Sequence, residues 1–250
     1  MLQNPLPIFT LTIDPENGSR RTHVIAEFAR LGYDFQFIEG VGKNAPELGG
    51  LYSRWRNLLW SKRSLTEGEI ACYYGHRKAW QAFIDSGAPV GLITEDDFSV
   101  INDAAFHDVM ANATDSAQWD ILKLFDIRPK KIVRTRGWHG LNIVDYKYPA
   151  SGTPAYLLTR EAAQNLLTRK HIFRAVDEDF SHSWEFNIRI LSIHPFIVTE
   201  ISDNVGGSNL ETMRSAFRKN KNTFRSLWGM VLQAGKQMRA RAFRRKIRNQ

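Results

Sequence analysis

Three consecutive acidic residues, Glu95, Asp96 and Asp97, follow an apolar run that has the length of a buried β-strand. Carboxylates crowded at such a position repel one another, and burial raises the cost of keeping them ionised. A divalent cation would remove that conflict, and open α/β sheets hold charged ligands at the carboxyl ends of their strands. The triplet therefore predicts an enzyme site for a phosphorylated, metal-bound substrate.

A second acidic cluster, Asp177, Glu178 and Asp179, lies much later in the chain. If the two clusters meet in the fold, one can hold a metal while the other supplies a general base. Sequence alone does not show that they meet, and a lone acidic triplet on a surface is usually just solvated.

Two arginines and one histidine are further candidates. Arg20 and Arg21 begin a predicted helix, where guanidinium and backbone N–H groups together could hold an anion, although a solvated helix end is the more common explanation for such a pair. His76 is either a hydrogen-bonded core histidine or a substrate contact. The well-known phosphate loops are absent, because the run Gly40-Val41-Gly42-Lys43 matches neither the P-loop nor the dinucleotide fingerprint.

The elements that must position these residues alternate between strand and helix, which predicts an α/β fold with a mostly parallel central sheet flanked by helices. The clearest helix start is a capping box, Thr66 with Glu69, ahead of an apolar-periodic run. The predicted elements are strands at 8–13, 35–38, 90–94, 119–125, 155–159 and 190–198, helices at about 20–30, 66–86 and 159–167, an amphipathic insert within 44–62, and a hairpin within 126–152.

Composition and charge divide the chain into two parts. With 250 residues, 43% of them hydrophobic, one domain can bury a full core. The net charge is +8, yet the segment after residue 213 contains 12 of the 34 bases and none of the 26 acids. The remaining 22 bases stand against all 26 acids, so the rest of the chain is mildly acidic. We therefore predict a globular domain at 1–212 and a basic tail at 213–250.

The tail interleaves aromatic and apolar residues with bases at helical spacing, which predicts a basic amphipathic helix. Such a helix suits an anionic membrane surface, while packing against the body and a solvated tail are the alternatives. The sequence shows neither a secretory signal nor an apolar run long enough to span a membrane. A single cysteine, Cys72, fits a reducing compartment, so we expect a cytoplasmic protein.

The run LTEGEIACYYGHRKAW followed by GLITEDD resembles the signature of glycosyltransferase family 25, the bacterial lipopolysaccharide and lipooligosaccharide galactosyltransferases. The resemblance extends in one order through IFTLTID with Arg20 and Arg21, EGVGK, WDILKL, TPAYLLTREAAQNLL and AVDEDFSHSW, and so covers nearly all of residues 8–200. Departures are Ala71 for the family's glycine, the run Tyr74-Gly75-His76 for its Leu-Ser-His, and a first strand without its asparagine.

The resemblance implies a GT-A-like fold and an inverting transfer of a hexose, with UDP-galactose as the expected donor, to a saccharide acceptor, expected to be lipid-linked. It assigns Asp97, with Asp96, to a divalent cation, expected to be Mn²⁺ with Mg²⁺ as the alternative. Glu95, Asp96, Arg20, Arg21 and His76 would then bind the donor. Asp177 matches the family's base position, with Asp179 and Glu178 as alternatives. Action at the cytoplasmic face of the inner membrane would follow.

The sequence also allows two other classes of protein. The basic tail and the acid clusters would also suit a metal-dependent nucleic-acid-binding protein or nuclease, but the mildly acidic body and the absence of a nucleic-acid motif outside the tail favour no nucleic-acid partner. A non-catalytic, transferase-like membrane adaptor would keep the fold and the tail without the chemistry.

Overall fold

The computed structural model describes residues 6–127, 130–201 and 223–248. Most of its strands form one eight-stranded sheet in the order β2-β1-β3-β8-β5-β9-β7-β6, and β4 pairs separately with β10. The strands are β1 Ile8–Thr12, β2 Gln36–Glu39, β3 Val90–Glu95, β4 Phe98–Val100, β5 Ile121–Lys123, β6 Ile132–Trp138, β7 Leu141–Tyr146, β8 Ala155–Thr159, β9 Ile190–His194 and β10 Val198–Glu200. The α-helices are α1 Ser19–Leu31, α2 Arg54–Trp60, α3 Glu67–Asp85, α4 Asp103–Asn112, α5 Arg160–Leu167, α6 Val176–Phe180 and α7 Thr223–Arg248.

The predicted α/β architecture with flanking helices and a C-terminal helix is confirmed, and the sheet is mixed. β1 is parallel to both β2 and β3, and β5 is parallel to β9. β8 runs antiparallel between β3 and β5, and the β6–β7 hairpin adds antiparallel strands beyond β9. The carboxyl ends of β1 and β3 therefore lie side by side, next to the beginning of β8.

Helix α3 starts with the predicted capping box. Thr66 Oγ1 accepts a hydrogen bond from the Glu69 backbone N–H at 3.1 Å, and the Glu69 carboxylate accepts one from the Thr66 backbone N–H at 3.0 Å. Its buried face carries large side chains against the sheet, among them Trp80 and Phe83. Gly91 in β3 is where Phe83 packs, because a Cβ there would lie 2.6 Å from the ring. This tight contact fixes the last turn of α3 over the beginning of β3, at the opposite end of the strand from the three acids.

Three local features differ from the predictions. The single strand expected at 190–198 is two strands, β9 and β10, because Pro195 has no backbone N–H to donate to a sheet ladder. Helix α4 was not predicted, although Asn102 caps it by accepting a hydrogen bond from the Ala105 backbone N–H. The antiparallel pair β4–β10 was not predicted either, since each strand has only three residues.

The helix expected in the tail is present as α7. It lies against the body, where the Trp228 indole N–H donates to the Leu59 carbonyl at 2.9 Å and Lys246 Nζ donates to Asn187 Oδ1 at 3.2 Å. The predicted domain boundary at 212/213 falls outside the described residues. No helix in the described ranges has both the length and the hydropathy of a bilayer span.

Candidate active site

The turn after β3 presents the first acidic cluster. Asp96 is held from two sides, because Thr12 Oγ1 at the end of β1 donates to its Oδ2 at 2.6 Å and Arg20 Nη1 donates to its Oδ1 at 2.6 Å. The same Arg20 nitrogen lies 3.5 Å from Asp97 Oδ2. The parallel pairing of β1 with β3 brings Thr12 next to the acids, and the start of α1 places Arg20 beside them.

Asp97 is the carboxylate of this turn with a free oxygen. Its Oδ1 is buried and has no hydrogen-bond partner among the described residues. Burial, together with the charges of Glu95 and Glu200, raises the pKa of Asp97 to about 8. A buried carboxylate oxygen without a donor, beside two further acids, is a suitable ligand for a hard divalent cation. The residues present therefore fit the metal that the sequence predicts.

His76 lies beside Glu95 of this turn. Its ring is fully buried, its Nδ1 lies 2.9 Å from the Tyr156 hydroxyl, and its Nε2 lies 3.5 Å from Glu95 Oε1. The Trp80 indole N–H donates to the same hydroxyl at 2.8 Å, so Tyr156 joins His76 and Trp80 in one buried polar group. Thr153 Oγ1 donates to Glu95 Oε1 at 2.6 Å.

Arg21 points away from the acid turn. Its Nε donates to the Asp14 carbonyl at 2.7 Å, its Nη2 pairs with Glu39, and its guanidinium lies over the Phe37 ring. The structure thus separates the two arginines that the sequence treated as a pair. Arg20 faces the site, and Arg21 connects α1 to the end of β2.

The second cluster contains two very different carboxylates. Asp179 is buried at the contact between α3 and α6, where the Tyr73 hydroxyl donates to it at 2.7 Å and Arg169 and Arg174 form ion pairs with it. Burial nevertheless raises the pKa of Asp179 above its ordinary value. Every oxygen of this carboxylate is engaged with protein donors, and its geometry is that of a structural ion-pair network.

Asp177 is half-buried, and it contacts the segment that leads into β8. Its Oδ2 is 3.5 Å from the backbone nitrogen of Gly152, the residue before the Thr153 that binds Glu95. The segment leading into β8 therefore joins the two clusters, as the antiparallel insertion of β8 requires. The sequence-predicted acids are thus neighbours across one short segment.

Helix α7 brings a cation to the second cluster. Lys236 donates to Ser181 Oγ at the end of α6 and lies over the Tyr148 ring. Burial lowers the pKa of Lys236 to about 8, against the opposing charges of Glu178 and Asp177. Burial also raises the pKa of Glu178. A residue of the tail therefore belongs to the surroundings of the site.

Sequence reasoning missed several of these contacts. Thr12 and Thr153 lie at the site ends of β1 and β8, and strand order would have been needed to find them. Glu200, which faces Asp97, lies on the unpredicted strand β10. Lys236 was treated only as part of a basic tail. One signal was available for Thr12, because it lies one residue before the end of the first predicted strand, 8–13.

Comparison with known proteins places the chain in a family. The chain belongs to glycosyltransferase family 25 (LPS biosynthesis protein), whose model matches residues 9–180 and so includes both acidic clusters. Membership in this family implies a sugar donor and a saccharide acceptor, and the chain is accordingly a glycosyltransferase of the lipopolysaccharide-biosynthesis type.

Three relatives illustrate the range of the family. The lacto-N-neotetraose biosynthesis glycosyltransferase LgtE of Neisseria meningitidis serogroup B is 26% identical, over 88% of this chain and 86% of its own length. The lipooligosaccharide biosynthesis protein lic2B of Haemophilus influenzae is 28% identical over 63% of each chain. A probable inactive family member 3 of Rattus norvegicus is 24% identical, and the match spans 56% of this chain but only 27% of that protein.

Proposed function

We propose that this protein transfers a hexose, with galactose from UDP-galactose as the expected case, to a saccharide of lipopolysaccharide, lipooligosaccharide or a related surface glycan, with inversion at the anomeric carbon. The observation that carries the proposal is the acid turn, where Asp97 Oδ1 has no donor among the described residues while Arg20 lies beside the same carboxylate. The names of the Neisseria and Haemophilus relatives, which concern the synthesis of such glycans, support the acceptor class.

The donor side is built from the acid turn and Arg20. Asp97 would hold the divalent cation, Mn²⁺ or Mg²⁺, with Glu95 and Asp96 around it, and a bound cation would offset charge developing on the leaving diphosphate. Asp96 already orients Arg20 through its 2.6 Å ion pair, so the guanidinium is preorganised for a phosphate oxygen. His76, fully buried, would act on the donor through Glu95 and not by direct contact.

The acceptor side is assigned to Asp177. Its carboxylate would take the proton of the acceptor hydroxyl as that oxygen forms the new bond to the anomeric carbon. The bond from this carbon to the diphosphate oxygen breaks at the same time, and the electron pair leaves with the nucleoside diphosphate. Attack opposite to the leaving group inverts the configuration. Asp177 suits this role better than Asp179, because Asp179 is engaged by Tyr73, Arg169 and Arg174.

Titration of the full chain with UDP-galactose, with and without Mn²⁺, tests the donor assignment. We expect binding to tighten at least about tenfold with Mn²⁺, since a cation bridging the acids and the diphosphate adds charge-assisted contacts worth more than 1.4 kcal/mol. UDP-glucose and Mg²⁺ serve as the matched comparisons for sugar and metal. Binding of DNA or RNA with no binding of any UDP-sugar would favour the nuclease alternative, and donor binding without turnover would favour the adaptor.

We also propose that the tail places the enzyme at the cytoplasmic face of the inner membrane. α7 and α2 touch through the Trp228–Leu59 hydrogen bond, and both helices expose large apolar side chains nearby. Trp55 is 62% exposed on α2, and Val231 is 59% exposed on α7. Apolar side chains beside a segment rich in lysine and arginine suit insertion into an anionic lipid surface.

Co-sedimentation with vesicles containing phosphatidylglycerol tests the membrane proposal. The double variant Trp55→Ser/Val231→Ser should lose about a hundredfold or more in vesicle affinity, because burial of each of these two side chains contributes roughly 1.5 kcal/mol or more. Ile101→Ser, at a position that is 61% exposed but belongs to neither helix, is the matched control. A chain ending at Glu211 should bind most weakly, and equal sedimentation of this chain and the intact protein would refute the proposal.

A further inference from the structure

A cavity of about 290 Å³ lies between α7 and the body, next to the β6–β7 hairpin and the segment 181–191. Arginines from both sides line it: Arg134, Arg136 and Arg189 from the body and Arg241, Arg244 and Arg245 from α7. Its walls also carry the aromatic rings of Tyr146, Trp184 and Phe243. The cavity lies outside the acid turn described above and was not foreseen from the sequence.

The charge in this cavity is far from balanced. Of the side chains that line it in the described part of the chain, seven are cationic and one, Asp145, is acidic. Arg189 has its own partner in Asp120 at 2.9 Å, whereas no ion pair among the described residues involves Arg134, Arg136 or Arg245. Burial, with the neighbouring charges of Arg134 and Arg189, lowers the pKa of Arg136. Cations crowded in this way are stabilised by a bound anion.

Arginine is well suited to bind the anions of a glycan. Its planar guanidinium pairs with phosphate and carboxylate through two parallel hydrogen bonds, and it stays charged at any physiological pH. Aromatic side chains beside the arginines offer flat apolar surfaces on which a sugar ring can lie. Together they form a surface complementary to a sugar that carries a negative charge.

The cavity also adjoins the acceptor side of the site. Ser181 lines the cavity and accepts the hydrogen bond from Lys236, four residues after Asp177 in the chain. Pro149 lines it on the other side, three residues before the Gly152 that contacts Asp177. A saccharide reaching from Asp177 into the cavity would therefore remain on one continuous face of the protein.

We propose that the cavity binds an anionic group, a phosphate or a carboxylate, carried by the saccharide acceptor. This inference rests on the proposed function for the acceptor's role, whereas anion binding itself can be measured without turnover. The cavity would select charged acceptors over neutral ones and would hold them with their reactive hydroxyl towards Asp177. The same chemistry could come from a free phosphate or a lipid headgroup, and the experiment must separate these sources.

Calorimetric titration of the full chain with glucose 6-phosphate and with glucose tests the inference. We expect glucose 6-phosphate to bind and glucose not to, and the affinity to fall as salt is raised because the contacts are ionic. The double variant Arg136→Gln/Arg244→Gln should bind glucose 6-phosphate at least about tenfold more weakly, since each arginine supplies charge-assisted hydrogen bonds. Arg239→Gln, an exposed α7 residue outside the cavity, is the matched control and should bind as the parent does.

The remaining arms distinguish the sources and guard against misfolding. Inorganic phosphate should compete more weakly than glucose 6-phosphate, and equal competition would overturn the assignment to a saccharide. Phosphatidylglycerol vesicles should bind the double variant no more than about tenfold more weakly than the parent, since α7 keeps its other bases; loss of vesicle binding in this variant, without glucose 6-phosphate binding by the parent, would assign the cavity to a lipid and overturn the proposal. Salt-independent binding by the parent would overturn it without any variant.

The same samples separate this inference from the proposed function. UDP-galactose binding with Mn²⁺ should be unchanged in the Arg136→Gln/Arg244→Gln variant, because neither residue lies at the acid turn. Failure of the parent to bind UDP-galactose would refute the proposed function and would leave the proposal of an anion-binding cavity standing. Donor binding by the parent without glucose 6-phosphate binding would refute the cavity alone.

Discussion

Replacing Asp97 by alanine is expected to abolish metal-dependent turnover of the nucleotide-sugar donor, by at least about a thousandfold, while the protein stays folded. The variant loses Asp97 Oδ1, a buried oxygen that accepts no hydrogen bond in the described part of the chain. Thermal stability should not fall, because Asp97 repels Glu95 and Glu200 and its burial already penalises the charged form. The measurement is UDP-galactose turnover across a Mn²⁺ titration, together with a thermal melt.

Asp108→Ala is the matched control for this experiment, because Asp108 is an exposed acid on α4 with no role at the turn. It should leave turnover, metal dependence and melting temperature unchanged. Wild-type turnover by the Asp97 variant without added metal would remove the metal assignment. A variant that binds UDP-galactose with undiminished Mn²⁺ dependence would do the same.

The second large effect is expected from a comparison of Asp177→Asn with Asp179→Asn. Asp177→Asn should lower kcat by about 10²–10⁴-fold, the range for loss of a general base, and should change the free energy of unfolding by no more than about 0.5 kcal/mol. The physical reason is position: Asp177 is half-buried beside the segment 152–153, with its Oδ2 3.5 Å from the Gly152 nitrogen. Steady-state kinetics and denaturant unfolding measure the two quantities.

Asp179→Asn should show the opposite pattern. It takes charge away from a buried network in which Arg169, Arg174 and Tyr73 all face the carboxylate, so we expect a loss of about 1–3 kcal/mol in unfolding free energy. Turnover of the remaining folded protein should be close to wild type. If both variants retain full turnover, the base lies elsewhere, with Glu178 the next candidate.

Much of the donor side was predictable because its signals are local. The capping box of Thr66 and Glu69 fixed the start of α3, and the three acids were placed correctly at the end of β3. The hairpin of β6 and β7 was also predicted, since turn residues between two β-prone runs are a short-range pattern. In each of these cases, residues close in the chain decide the structure.

What could not be predicted depends on pairing between distant segments. Nothing in the sequence around β8 indicates that it lies antiparallel between β3 and β5, and this placement is what brings Gly152 next to Asp177. The different environments of Asp177 and Asp179 follow from the side of α6 on which each lies, because Arg169 and Arg174 cover only one of them. The packing of α7 against α6 is equally non-local.

The hydrogen bond from Thr153 to Glu95 couples the binding of the donor to the binding of the acceptor. It ties the Glu95 side chain to the segment that touches Asp177, beside the hydrogen bond from the Glu95 backbone N–H to the Pro154 carbonyl at 2.9 Å. A ligand that draws the Glu95 side chain away from Thr153 loosens that segment, and a ligand that holds the segment steadies Glu95. The affinities of the two substrates are then thermodynamically linked, and each must change the other by the same factor.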